Sequence, residues 1–95
     1  MSVRLQLDFA NLGLEDYDRT CETLNFPDDW PEGLMGHASF EVDGRLRVVD
    51  IWQTREHFDR FVQERLQAAM GEALGDRAEA PEVTEIEVHT FYSRR

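Results

Sequence analysis

A chain of 95 residues suffices for one domain with a thin core, since at this size only roughly 60–65% of the unfolded surface is buried. Hydrophobic residues at 41% beside charged residues at 32% fit a globular chain and exclude a disordered one. The formal net charge of −10 disfavours nucleic acid and anionic membrane as partners, because both need a basic footprint.

Cys21 is the only cysteine, so no disulfide forms within the chain. The opening "MSVRLQLDF" has no apolar signal core, and no run approaches about 18 apolar residues. The expectation is a soluble cytoplasmic protein.

"VRLQLDF" alternates strictly, with Val3, Leu5, Leu7 and Phe9 on one side and Arg4, Gln6 and Asp8 on the other. That is a half-buried strand. From Leu14 the period changes. Leu14, Tyr17, Cys21 and Leu24 make one apolar helix stripe, with Cys21 as a small buried hydrophobe rather than a reactive thiol. "FPDDWPEG" ends the helix, because Pro27 and Pro31 cannot continue it. Trp30 in that loop is a plug on the core or a lid over a pocket.

Asp43-Gly44 between two alternating runs is the preferred chemistry of a two-residue hairpin turn. Thr54 suits a helix N-cap, and Glu56 its first turn. Phe58, Phe61, Val62, Leu66, Ala69, Met70 and Ala73 then follow helical spacing, with Gly75 as the C-terminal cap. After the polar "DRAEAPE", "VTEIEVHTFY" reads as the last strand. The β-α-β-β-α-β order predicts a single α+β, ferredoxin-like domain over residues 1–95. Its four-stranded antiparallel sheet would carry two helices on one face and leave the other open.

The turn sets the pairing. Val42 faces Arg45, Phe40 faces Arg47, Ala38 faces Val49 and Gly36 faces Ile51. On the opposite side Glu41 faces Leu46, Ser39 faces Val48, His37 faces Asp50 and Met35 faces Trp52. Taking Ala38, Phe40, Val49 and Ile51 as the helix-facing core sends His37, Asp50 and Trp52 to the open face. Arg4, Gln6, Asp8, Glu85, Glu87, His89 and Phe91 would join them there. A second sheet packed on this mixed surface would hide its apolar members, so a homodimer through the open face is expected.

"VVDIWQTREHFDRFVQERL" resembles the strand–helix signature of the dimeric α/β-barrel superfamily that includes the antibiotic biosynthesis monooxygenases. There a Trp ends the strand, a Ser or Thr caps the helix and aromatics follow on its core face; here these are Trp52, Thr54, Phe58 and Phe61. "PEGLMGH" and "EVHTF" look like a bacterial subgroup of uncharacterised proteins of this size. The resemblance implies a homodimer, with a ligand cavity between sheet and helices or inside the barrel. It also implies cofactor-free oxidation of hydrophobic cyclic metabolites, in which the substrate carbanion meets O2 and the protein supplies a pocket and a proton acceptor. No cofactor is expected. The haem-degrading branch has an Asn on the first strand and a late His on the second helix. Gln6, Asp8 and the early His57 stand in this chain instead.

Within that frame His37 and Asp50 are the candidate catalytic pair, a base and the carboxylate that orients it. The same two residues also make sense as a structural hydrogen-bonded pair. Trp52, His89, Met35 and Gln6 are the candidate substrate contacts, Trp52 serving equally well as an interface anchor. His37, His89 and one of Asp8, Asp50 or Glu87 have the composition of a two-His-one-carboxylate set, but no compact ligand motif, so no metal is expected. The sequence leaves an enzyme and a non-catalytic small-molecule-binding or structural dimer both open.

Overall fold

The computed structural model describes residues 2–94. Strand β1 (Val3–Asp8) is followed by α1 (Leu14–Leu24), then the hairpin β2 (Leu34–Val42) and β3 (Arg45–Trp52). A long helical rod comes next: α2 (Arg55–Phe61), a π turn (Val62–Leu66) and α3 (Gln67–Leu74). A 3₁₀ turn (Gly75–Arg77) leads to β4 (Glu82–Glu87). The sheet is antiparallel throughout, in the order β2-β3-β1-β4. No helix among the described residues is long and apolar enough to cross a membrane.

The local signals read from the sequence hold. Asp43 and Gly44 both have positive φ, 52° and 79°, as the tight hairpin turn requires. Thr54 caps α2 by accepting from the His57 backbone N–H at 3.1 Å. Gly75 closes α3 with φ 58°. Gly33 combines φ 87° with a close approach, since a Cβ there would run into the His57 ring. No other residue fits both demands.

Two helical details differ from the sequence reading. Leu14 is exposed, while Asp16 and Thr20 are buried, so the inner stripe of α1 is turned by part of a residue step. Asp16 is drawn inward because it accepts from the Gly13 N–H at 2.9 Å and from both terminal nitrogens of Arg77, at 2.5 and 2.9 Å. Those donors, Arg77 foremost, hold its carboxyl below the usual range. The π turn is the second. Phe61 and Leu66, five residues apart, would diverge by about 140° on an ideal α-helix. With the turn widened, the Gln67 N–H reaches back to Val62 and both side chains line one cavity.

The largest correction concerns the sheet faces. The hairpin pairing is as read, from Gly36 opposite Ile51 to Val42 opposite Arg45. Its two sides are exchanged. Leu46, Val48, Asp50 and Trp52 are buried against the helices. The register with β1 shows why: Asp50 lies opposite Leu5 and Val48 opposite Leu7, on the side of the apolar row Val3, Leu5, Leu7 and Phe9. Ala38, Phe40, Val49 and Ile51 therefore share the open face with Arg4, Gln6 and Asp8. On β4, Glu85 and Glu87 pair with Leu5 and Val3 and so belong to the helix side, where Glu85 meets Arg55 at 2.7 Å. A bulge between Leu34 and Gly36 also replaces Met35 by Leu34 opposite Trp52.

Candidate functional site

Three elements meet over the middle of β3. His37 on β2 and Asp50 on β3 are cross-strand partners, and their side chains join Nδ1 to Oδ1 at 2.6 Å. Trp52, two residues along the same face, donates its indole N–H to Asp50 Oδ2 at 3.2 Å. From α1 above, the Tyr17 hydroxyl meets His37 Nε2 at 2.6 Å. A carboxylate only accepts, so Nδ1 carries the hydrogen and the Nε2 lone pair takes the Tyr17 O–H. The result is a continuous relay, Tyr17 to His37 to Asp50, with Trp52 securing the second carboxylate oxygen.

Aromatic rings brace the imidazole. Tyr17 is stacked with it at 5.8 Å and Phe26 meets it edge-on at 4.8 Å. Trp30, exposed, stacks on Phe26 and donates its N–H to the Leu34 carbonyl at 2.7 Å. It is therefore no core plug; it covers Phe26, which lines the chamber, from outside, as a lid does.

Beside the relay lies a chamber of about 80 Å³, walled mainly by Leu7, Val48, Trp52, Phe61 and Leu66. The share of one water in the liquid is about 30 Å³, and an apolar cavity of about 150 Å³ takes one benzene. The chamber by itself therefore admits only very small guests. Burial pushes the Tyr17 hydroxyl up to about 12 and raises the Cys21 thiol, so Cys21 on this wall is a poor nucleophile at neutral pH.

The Tyr17 shift has a pH signature. The fold favours the protonated phenol, so its contribution to stability is complete below about 10 and is lost as pH rises from there towards about 12. In a Tyr92→Phe chain Tyr17 is the only tyrosine. Its tyrosinate absorbance should appear well above pH 10 while the chain is folded. A midpoint at about 10 in a folded chain would mean the hydroxyl faces water.

Of the residues singled out from the sequence, His37, Asp50 and Trp52 come together here, beneath the helices rather than on the open face. The other three do not reach the chamber. Met35 is exposed at the bulge. Gln6 is on the open face, accepting from Arg4 at 3.1 Å and donating to Asp8 at 2.9 Å. His89 lies beyond the end of β4 and is exposed. Tyr17 belongs to the apolar stripe of α1 in the sequence, and its hydroxyl within that stripe is the available signal for this role. Among the described residues no group of three or more His, Cys, Asp or Glu is placed to hold a metal.

This is a ferredoxin-like fold, a four-stranded antiparallel sheet with its helices on one face. No family profile and no curated protein sequence matches the chain. Solved structures match it over almost its full length. SnoaB, a cofactor-independent oxygenase from Streptomyces nogalater, is 12% identical with a TM-score of 0.59, covering 98% of this chain and 96% of its own. MhuD, solved as a point mutant with two manganese protoporphyrin IX bound per active site, is 22% identical with a TM-score of 0.61, covering 99% and 100%. A dimeric ferredoxin-like protein of unknown function from Jannaschia sp. CCS1 is 14% identical with a TM-score of 0.60, covering 93% and 100%.

The residues of this site do not fit a porphyrin. Both nitrogens of His37 are engaged, and His57 Nδ1 is bonded to Thr54 at 2.7 Å.

Proposed function

We propose that this protein is a homodimeric, cofactor-independent enzyme of the antibiotic biosynthesis monooxygenase type, acting on a hydrophobic cyclic metabolite with an acidic C–H or O–H. The observation that carries this reading is the Tyr17–His37–Asp50 relay on the wall of an apolar chamber. Tyr17 accepts the substrate proton as it passes its own to His37 Nε2, and Asp50 stabilises the imidazolium that forms. The relay never leaves a free tyrosinate, which the raised Tyr17 value would oppose. The substrate carbanion then reduces O2. One oxygen atom ends in the new carbonyl and the other in water, a CH2 being converted to C=O with no added reductant.

The homodimer forms through the open face of the sheet. Phe40 and Ile86 are exposed there, beside Val49 and Ile51. The chemistry is then on the opposite face from the dimer contact, so each protomer holds a complete relay. Anthrone and 2-naphthol are the probes. Oxygen uptake by the intact chain is expected with one of them, and His37→Ala should lower kcat by about 10²–10⁴-fold. Turnover unchanged in His37→Ala would remove the relay from the mechanism.

One observation favours a second reading, a non-catalytic binding or structural dimer. Among the described residues every buried side-chain polar atom has a partner, as in a network built only for stability. In that case His37→Ala lowers stability, and neither probe supports oxygen uptake in the intact chain.

A further inference from the structure

The chamber is too small for the substrates just proposed, and what surrounds it shows where room can be found. A groove of about 490 Å³ runs between the helical rod and the segment from Ala78 to Pro81 that leads into β4, with Val83 of β4 at its edge. Phe58, Leu66 and Met70 line both spaces, so the partition is a single layer of side chains from one rod. Together the two volumes fall within the roughly 300–1,000 Å³ usual for small-molecule sites.

The walls differ in how firmly they are held. On the α1 side the loop is fastened by hydrogen bonds. Arg65 donates to the Leu24 carbonyl at 3.3 Å and the Asp29 carbonyl at 2.9 Å, and Trp30 donates to Leu34 at 2.7 Å. The Leu66 side chain has no polar atom and Met70 only a weakly accepting thioether, so both are held by packing. Met70 is unbranched and adaptable, and Leu66 ends the π turn, where the helix ladder is already interrupted.

We propose that this groove is the way into the chamber and the outer half of the ligand site, with Met70 and Leu66 as the movable wall. The ligand is an elongated, largely apolar molecule. Its head sits against Trp52 and the relay, and its polar end faces the outer rim, where Gln63 and Gln67 stand with Arg55, Asp59 and Glu79. This rests on the reading of the chamber as the ligand site, but its test does not use the chemistry of His37.

In a Trp30→Phe chain, where the two Arg65 bonds still fasten the α1-side loop, Trp52 is the only tryptophan, and it lines the chamber. Acrylamide quenching of its fluorescence reports access from solvent. Met70→Ala in that background should raise the quenching constant by about threefold or more, since local opening of the wall limits access. Adding Gln67→Phe, at an exposed rim position, should bring the constant back down. Should Met70→Ala fail to fold by circular dichroism, Leu66→Ala is read in the same way. A folded variant quenched no more than its parent would overturn the proposal, whatever oxygen uptake shows for the relay.

Discussion

Trp52→Ala is expected to lower the unfolding free energy by about 3–5 kcal/mol, as the loss of a large buried aromatic does. The indole is 1% exposed. It packs edge-on against Phe58 at 5.7 Å and tilted against Phe61 at 5.6 Å. Its removal leaves a cavity between β3 and the rod, and leaves Asp50 Oδ2 without its donor. A domain of this size has about 5–15 kcal/mol in all, so the variant should sit near the edge of folding at ambient temperature. Trp52→Phe keeps most of the packing and loses the N–H; it should cost about 1–3 kcal/mol, most of it for the unpaired carboxylate oxygen. Urea unfolding followed by far-ultraviolet circular dichroism measures both. A loss below about 1 kcal/mol for Trp52→Ala would contradict its burial under the helices.

Asp50→Asn is expected to carry the largest effect on the proposed reaction, a fall in kcat of about 10²–10⁴-fold with little change in KM. The reason is directional. The carboxylate accepts from both His37 Nδ1 and Trp52 Nε1. An amide has one oxygen and one NH2. If the oxygen stays with Trp52, the NH2 faces His37, and Nδ1 must become the acceptor. The ring proton then moves to Nε2, which donates to Tyr17 instead of accepting from it, and the relay runs backwards. If the oxygen serves His37, the NH2 meets the indole N–H, donor against donor. Either arrangement costs about 1–3 kcal/mol of stability. Nitrogen-15 shifts of His37 separate the two and show the tautomer directly. A wild-type kcat in Asp50→Asn would remove Asp50 from the chemistry and leave it as a structural acceptor.

The open-face residues show how a correct sequence pattern led to a reversed surface. On β3 the set Leu46, Val48, Asp50 and Trp52 alternates with Arg45, Arg47, Val49 and Ile51, and each set mixes apolar with charged residues. The single acid made the first set look solvent-facing. Burying Asp50 is tolerable only because His37 and Trp52 both donate to it, with Tyr17 completing the imidazole's bonding. Tyr17 comes from a different element, and its approach is a tertiary fact. The relay was thus half legible: two of its members were paired by the hairpin register, and the third was hidden in a helix stripe.

By itself the sequence determined what depends on neighbours along the chain or across one turn. That covers the β-α-β-β-α-β order, the Asp43-Gly44 bend, the Thr54 and Gly75 caps, and the facing of His37 with Asp50. Only the tertiary structure decided which side of the hairpin meets the helices, because that choice follows from the alignment of β3 with β1, 39 residues apart in sequence at the Asp8–Arg47 contact. It also decided the π turn that brings Phe61 and Leu66 to one wall, and the bulge that turns Met35 outward. Each is a long-range compromise between packing and hydrogen bonding, and a period of two or of about 3.6 residues carries no trace of it.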